Sequence, residues 1–104
     1  MTQKLIPIYD RKRALTRAEL SEVINELSKK TEVKSISTDT QENNGRKQHF
    51  HVITIKEFRE YPLVIGFVHE KYGRGIDLST YFPKQDSQNC IDIYIRGYAK
   101  ELNK

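Results

Sequence analysis

Three histidines are the residues whose type and spacing first suggest chemistry in this chain. His49 and His51 stand two apart in the run HFHVITI, which predicts a β-strand, so both side chains lie on one face. Neutral imidazole nitrogens bind divalent metals, and His69, at the end of the run LVIGFVH, is the candidate third ligand. The three histidines therefore define a candidate metal site, or a set of acid and base groups, that the fold would have to assemble.

A solvent-exposed strand end is the alternative role for the same histidines. His49 and His51 follow Arg46 and Lys47, and a charged rim at the mouth of a strand needs neither metal nor substrate. The sequence also has no Gly-rich phosphate loop before a helix, no nucleophile elbow, no paired carboxylates in an apolar setting and no pair of metal-binding cysteines. We therefore expect a protein without a cofactor that is not a conventional enzyme, with the divalent metal site as the alternative.

The tripeptide His49-Phe50-His51 resembles the His-hydrophobe-His motif of HUH endonucleases, the replication initiators and relaxases that nick single-stranded DNA. The resemblance implies that the two histidines hold a divalent metal on a strand of an antiparallel sheet. It also implies a tyrosine nucleophile on a nearby helix, for which Tyr98 is the candidate. That family usually has a lysine three residues after the tyrosine, whereas position 101 is glutamate here. The match covers this tripeptide alone, and it makes a metal-dependent nuclease one of the functional hypotheses.

Basic side chains form three clusters that are well separated in the sequence. Eighteen Lys and Arg against fourteen Asp and Glu give a net charge of +4, which favours polyanionic partners. In the segment KYGRG, residues 71–75, two cations, a tyrosine ring and two glycines suit a hairpin tip that approaches phosphates closely. The candidate nucleic-acid contacts are Arg11, Lys12, Arg13, Arg46, Lys47, Lys71, Tyr72 and Arg74.

Tyrosines offer a second means of contacting nucleic acid, because bases stack on aromatic rings. Tyr9, Tyr61, Tyr81 and Tyr94 are spread along the chain. A sheet protein without tryptophan also needs aromatic rings to fill its core. We expect these four tyrosines to serve mainly in the core.

One helix is clearly marked in the sequence. Thr16 and Glu19 have the spacing of a capping box, in which each side chain accepts a hydrogen bond from the backbone of the other residue. The apolar residues that follow recur with helical period, and they are Leu20, Val23, Ile24 and Leu27. We predict one amphipathic helix at about residues 17–30, packed on one face of a sheet.

The first strands are predicted on either side of this helix. Residues 4–10 are apolar but contain Pro7, which suits a strand at a sheet edge. Residues 33–40 and 47–57 flank the sequence QENNG, whose Asn-Asn-Gly accepts positive φ angles. This pattern predicts an antiparallel hairpin with a longer loop.

The later strands follow from apolar runs. Residues 62–70 are apolar on both faces, which predicts a central strand joined through the turn at 71–75 to a strand at 76–82. Residues 90–97 alternate between isoleucine and polar residues, as a half-buried strand does. The tail after residue 97 fits either a short helical turn or irregular coil. The predicted fold is α+β, with a single antiparallel sheet of about five strands.

Size and composition limit the setting of the protein. A chain of 104 residues fits a single domain, residues 1–104. No apolar run approaches the roughly 20 residues that cross a bilayer, and the N-terminal residues lack the apolar region of a secretory signal. We therefore expect a cytoplasmic protein with no membrane contact. It can be a monomer or a homodimer, because edge strands can pair between copies.

Three functions compete on these observations. The first is a small non-enzymatic protein that binds nucleic acid through basic loops, with an affinity that falls as salt rises. The alternative is a protein-binding module, such as a bacterial immunity protein, an antitoxin or a phage-encoded inhibitor. A net positive charge does not suit an inhibitor of a basic nuclease site. The third is the metal-dependent nuclease of HUH type built on His49 and His51.

Overall fold

The structure, a computed structural model, describes residues 13–82 and 89–98 of the chain. Its elements are α1 (Arg17–Leu27), β1 (Val33–Asn43), β2 (Arg46–Ile55), a 3-10 turn (Phe58–Glu60), α2 (Tyr61–Tyr72), β3 (Leu78–Tyr81) and β4 (Ile91–Arg96). In the described residues, all strand pairs are antiparallel and form one sheet in the order β1-β2-β4-β3. The α+β class with a single antiparallel sheet is confirmed. The predicted strand at 4–10 lies outside the described residues. So does the tail from residue 99 on, for which the sequence fits either a short helical turn or irregular coil.

The first helix begins where the capping box places it. The Thr16 hydroxyl accepts a hydrogen bond from the Glu19 amide at 3.1 Å, and the Glu19 carboxylate accepts one from the Thr16 amide at 2.9 Å. These two bonds satisfy amides that the first helical turn leaves without partners. The helix ends at Leu27 rather than near residue 30. Its buried residues are Leu20, Val23 and Leu27.

The first hairpin is tighter than predicted. β1 and β2 pair up to Asn43 and Arg46, so only Asn44 and Gly45 form the loop. Both loop residues have positive φ angles, 55° and 78°, and this combination matches the right-handed twist of the flanking strands. The predicted longer loop is wrong, because Asn-Gly alone makes the turn. The two long strands therefore carry Arg46 and Lys47 to the tip of the hairpin.

The predicted central strand at residues 62–70 is wrong, because this segment is helix α2. Pro62 lies in the first turn, where its missing N–H costs no helical hydrogen bond. Val64 and Val68, one helical turn apart, are completely buried. The helix ends at Gly73, which has a φ angle of 107°. Neither helix in the described part of the chain combines the length and apolar character that crossing a membrane requires.

The two faces of the sheet differ in what covers them. On the covered face, the side chains of α1 and α2 pack against alternate residues of β2 and β4 in one core cluster. The sheet contributes Ile53, Ile55, Ile91, Ile93 and Ile95 to that cluster. Within residues 13–82 and 89–98, neither helix packs on the opposite face, here called the open face, which presents the intervening residues. They include Phe50, Val52 and Thr54 of β2, Ser79 and Tyr81 of β3, and Asp92, Tyr94 and Arg96 of β4.

Candidate nucleic-acid interface

His51 is a core residue, not part of a solvent-exposed rim. Its side chain shares the covered face with Ile53 and is only 1% exposed. Its Nε2 lies 3.1 Å from the carbonyl oxygen of Leu15. A carbonyl can only accept a hydrogen bond, so Nε2 carries the proton and donates it. This hydrogen bond connects the segment before α1 to β2, an inner strand of the sheet.

The other two histidines have different partners. The His49 Nδ1 lies 3.1 Å from the Thr40 hydroxyl on the neighbouring strand. His69 lies on α2 rather than at a strand end, and its Nε2 is 3.4 Å from the Ile76 carbonyl. Across residues 13–82 and 89–98, no three His, Cys, Asp or Glu side chains are grouped so that they could hold a metal ion. In these residues, the predicted set of His49, His51 and His69 is not assembled.

Tyr98, the residue that the HUH resemblance implies as nucleophile, follows the end of β4 after Gly97. Its hydroxyl donates a hydrogen bond to the Ala14 carbonyl at 3.4 Å. In the described residues it is not on a helix, as the resemblance would require. The contact places Tyr98 beside the segment that precedes α1.

Backbone hydrogen bonds gather four chain segments at one end of the sheet. Leu15 donates to the Arg96 carbonyl at 3.0 Å, and Arg96 donates to the Asp77 carbonyl at 3.0 Å. Asp77 in turn donates to the Arg13 carbonyl, also at 3.0 Å. The amide of Gly97 donates to the carbonyl of His49 at 2.8 Å. The start of β2, the end of β4, the start of β3 and the approach to α1 therefore meet here.

Several cations that are far apart in the sequence belong to these segments or lie within three residues of a bonded residue. Arg13 belongs to the network itself, Arg74 precedes Asp77 by three residues, and Lys47 precedes His49 by two. These five cations, Arg13, Arg46, Lys47, Arg74 and Arg96, are here called the basic end. Of these, Arg96 forms an ion pair with Asp77 at 3.1 Å. Within residues 13–82 and 89–98, the other four have no carboxylate within ion-pair distance.

Two of the predicted contact residues, Lys71 and Tyr72, have partners within the fold. The predicted hairpin tip at 71–75 is wrong, because these residues are the end of α2 and the loop that follows. Lys71 forms an ion pair with Glu22 of α1 at 3.6 Å, and the Tyr72 hydroxyl donates to the same carboxylate at 3.0 Å. Both side chains therefore join the two helices. Arg11 and Lys12 lie outside the described residues.

The hydroxyl of Tyr72 is held in its neutral form. Burial, first of all, and then the hydrogen bond to Glu22 and its negative charge together raise the pKa of Tyr72 to about 12. A phenol that donates to a carboxylate loses that bond when it ionises. Tyr72 thus acts as a hydrogen-bond donor between α1 and α2 at neutral pH.

The open face carries an aromatic group that the sequence patterns did not single out as a unit. Tyr94 contacts Tyr81 with ring centroids 5.1 Å apart and Phe50 with centroids 5.7 Å apart, both edge to face. The Arg96 guanidinium lies 5.9 Å from the centre of the Phe50 ring. Phe50 is buried, whereas Tyr81 is 52% exposed. The expectation that Tyr81 and Tyr94 fill the core is wrong, because aliphatic side chains fill it and these rings lie on the other face.

The acidic side chains of this face also affect the pKa of Tyr94. Burial raises the pKa of Tyr94, and the charges of Asp39 and Asp92 raise it further. Asp92 accepts a hydrogen bond from the Thr54 hydroxyl at 2.5 Å. The alternation of Asp92, Tyr94 and Arg96 with isoleucines is the sequence signal that these residues share a face.

Comparison with known proteins yields no family model, no curated protein and no solved structure that matches this chain.

Proposed function

We propose that the protein is a small non-enzymatic binding protein that contacts nucleic acid through the basic end of its sheet. The supporting observation is the backbone network that joins Arg13, His49, Asp77 and Arg96. Because of it, cations from the start of α1, the β1–β2 hairpin and the loop after α2 share one region. A phosphate chain can then contact several of them at once.

The exposure of these cations and their lack of ion pairs within the described residues favour an external partner. Arg13, Arg46, Lys47 and Arg74 are exposed and, in the described residues, form no ion pair. Lys47 stands opposite Glu42 in the strand ladder, which lowers the local positive potential without forming an ion pair. At the other end of the sheet, Lys56 forms an ion pair with Glu32.

Charge reversal at the basic end tests this proposal. Affinities of Arg13→Glu, Lys47→Glu and Arg74→Glu for short single- and double-stranded oligonucleotides would be measured by filter binding at two salt concentrations. Each reversal should weaken binding at low salt by about tenfold, and each lost phosphate contact should lower the slope of log affinity against log salt by about 1. Circular dichroism would establish that each variant is folded.

Two variants at the opposite end serve as matched controls. Lys29 and Lys56 are exposed lysines that form ion pairs with Glu26 and Glu32 at 3.6 Å. Lys29→Glu and Lys56→Glu change the net charge by the same amount as the test variants, but they should weaken binding less and leave the salt dependence unchanged. Equal losses in both groups would indicate a nonspecific effect of net charge and would contradict a site at the basic end.

A further inference from the structure

We infer that the open face binds the bases of single-stranded nucleic acid, with Tyr81 and Tyr94 as the stacking surface. This inference rests on the proposed function, because the phosphates would be held at the basic end. It adds the class of ligand, a single strand with accessible bases, and the residues that contact those bases. DNA and RNA share this chemistry.

Exposure identifies where on the open face a base could lie. Phe50 and Val52 are buried, so the middle of β2 offers no free ring. Tyr94 on β4 is partly exposed, and Tyr81 on the edge strand β3 is 52% exposed. The two rings are in edge-to-face contact at 84°, so each restricts the movement of the other. An exposed aromatic ring fixed in this way loses little conformational freedom when a base stacks on it.

The aromatic pair is continuous with the positive charge. Arg96 follows Tyr94 by two residues on β4, and both lie on the open face. Two residues of a strand span about 7 Å, which is close to the spacing of successive nucleotides in an extended single strand. Arg96 stands opposite Phe50, and Arg46 lies further along the same face of β2. A strand that leaves the basic end past Arg96 therefore reaches Tyr94 next.

Acidic residues define the course that such a strand can take. Asp39 stands opposite Phe50 on β1, and Asp92 stands opposite Tyr81 on β4. Their charges repel phosphates on the β1 side and on β4 beside Tyr81. Bases are uncharged, so they can lie over Tyr94 and Tyr81 while the phosphates remain towards Arg46 and Arg96. The charge pattern fits a nucleic-acid strand better than an acidic protein, whose carboxylates have no such separation from the contact surface.

Binding of labelled oligonucleotides to Tyr81 variants tests the inference. The probes are dT and rU strands of about 12 nucleotides, a duplex of the same length, and an abasic strand that keeps the phosphates but lacks bases. Tyr81→Ala should weaken binding of the dT or rU strand about tenfold and leave binding of the abasic strand unchanged. Its salt dependence should equal that of the parent, since no phosphate contact is lost. The tighter of dT and rU identifies the sugar that the protein prefers.

Two further variants separate stacking from loss of structure. Tyr81→Phe keeps the ring and should bind as the parent does. Tyr61→Ala removes a tyrosine of similar exposure, 39%, that lies at the start of α2 and away from the open face, and it should also bind normally. Thermal unfolding of each variant would show that the fold is retained.

The possible failures are distinguishable. If Tyr81→Ala binds the dT strand as tightly as the parent does, or if the parent prefers the duplex, stacking on the open face is wrong while binding at the basic end stands. If the parent binds none of the probes at low salt, the proposed function itself is wrong. The exposed rings would then be candidate contacts for a protein partner.

Discussion

The covered and open faces of the sheet are built from neighbouring residues of the same strands, yet they differ in composition and burial. On β4, Ile93 and Ile95 are completely buried beneath the helices. Between them, Tyr94 points the other way and contacts Tyr81 and Phe50. The buried side chains of the covered face are aliphatic apart from His51, whereas the open face combines aromatic, acidic and basic side chains. In the described residues, the helices pack on one face, so stability should depend mainly on that face. The other face carries the rings and charges to which we assign the ligand.

Shortening a covered-face side chain is the strongest test of this division. Ile93→Ala removes three carbon atoms from a fully buried site between β4 and the helices. Loss of apolar burial and the cavity left behind should lower the free energy of unfolding by about 2–5 kcal/mol. Urea denaturation followed by circular dichroism would measure this change.

The adjacent residue on the open face provides the comparison. Tyr94→Leu keeps an apolar side chain on β4 but removes the edge-to-face contacts with Tyr81 and Phe50. Such contacts contribute about 1 kcal/mol beyond simple burial, so this variant should lose less stability than Ile93→Ala. If the two variants lose equal stability, the open face is part of the folding core and the distinction between faces fails.

The two neighbouring histidines of β2 should differ next most strongly. His51→Ala leaves the Leu15 carbonyl without its side-chain donor in a buried site and should cost about 1–3 kcal/mol. His49→Ala removes only an exposed contact with Thr40 and should change stability by less than about 0.5 kcal/mol. Chemical denaturation of both variants under the same conditions would measure the difference. Losses of similar size would contradict the structural role assigned to His51.

Local sequence patterns predict the elements whose signals are local. The capping box of Thr16 and Glu19 marks the start of α1, and Asn44-Gly45 marks the turn of the first hairpin. The alternation of isoleucine with polar residues predicts β4 and identifies its buried face. Each of these patterns reflects hydrogen bonds or burial within a few residues, so it is visible without the rest of the fold.

The errors occur where distant contacts decide the structure. Residues 61–72 are apolar on nearly all sides, so the sequence shows no clear helical period. Packing of this segment against α1 and the sheet distinguishes a helix from a central strand. Side-chain alternation correctly puts His51 on the same strand face as His49, but it does not predict that His51 is buried and bonded to Leu15, 36 residues away. The basic end likewise depends on backbone bonds between remote segments. Spacing along the chain carries no information about these contacts.

A smaller effect than that of Ile93→Ala or His51→Ala is expected at the polar border of the covered face, where α1 meets α2. Tyr72 donates to Glu22 at 3.0 Å and to the Glu19 carbonyl at 3.4 Å. Tyr72→Phe should cost about 0.5–1.5 kcal/mol near neutral pH, because these bonds are lost while the ring remains. Burial and Glu22 raise the pKa of Tyr72 from 10.0 to about 12 in the folded protein.

The raised pKa of Tyr72 fixes the sign of a pH dependence. Between pH 10.0 and about 12 the unfolded chain releases the Tyr72 proton more readily than the folded protein does, so stability falls as pH rises through this window. Below pH 10.0 the contribution is fully present. The stability difference between the parent and Tyr72→Phe should therefore shrink across the window, as measured by urea denaturation at a series of pH values. A stability difference that stays constant would show that the phenol does not keep its proton through contact with Glu22. In the Glu22→Gln variant, which lacks the charge, stability should fall less steeply with pH than in the parent.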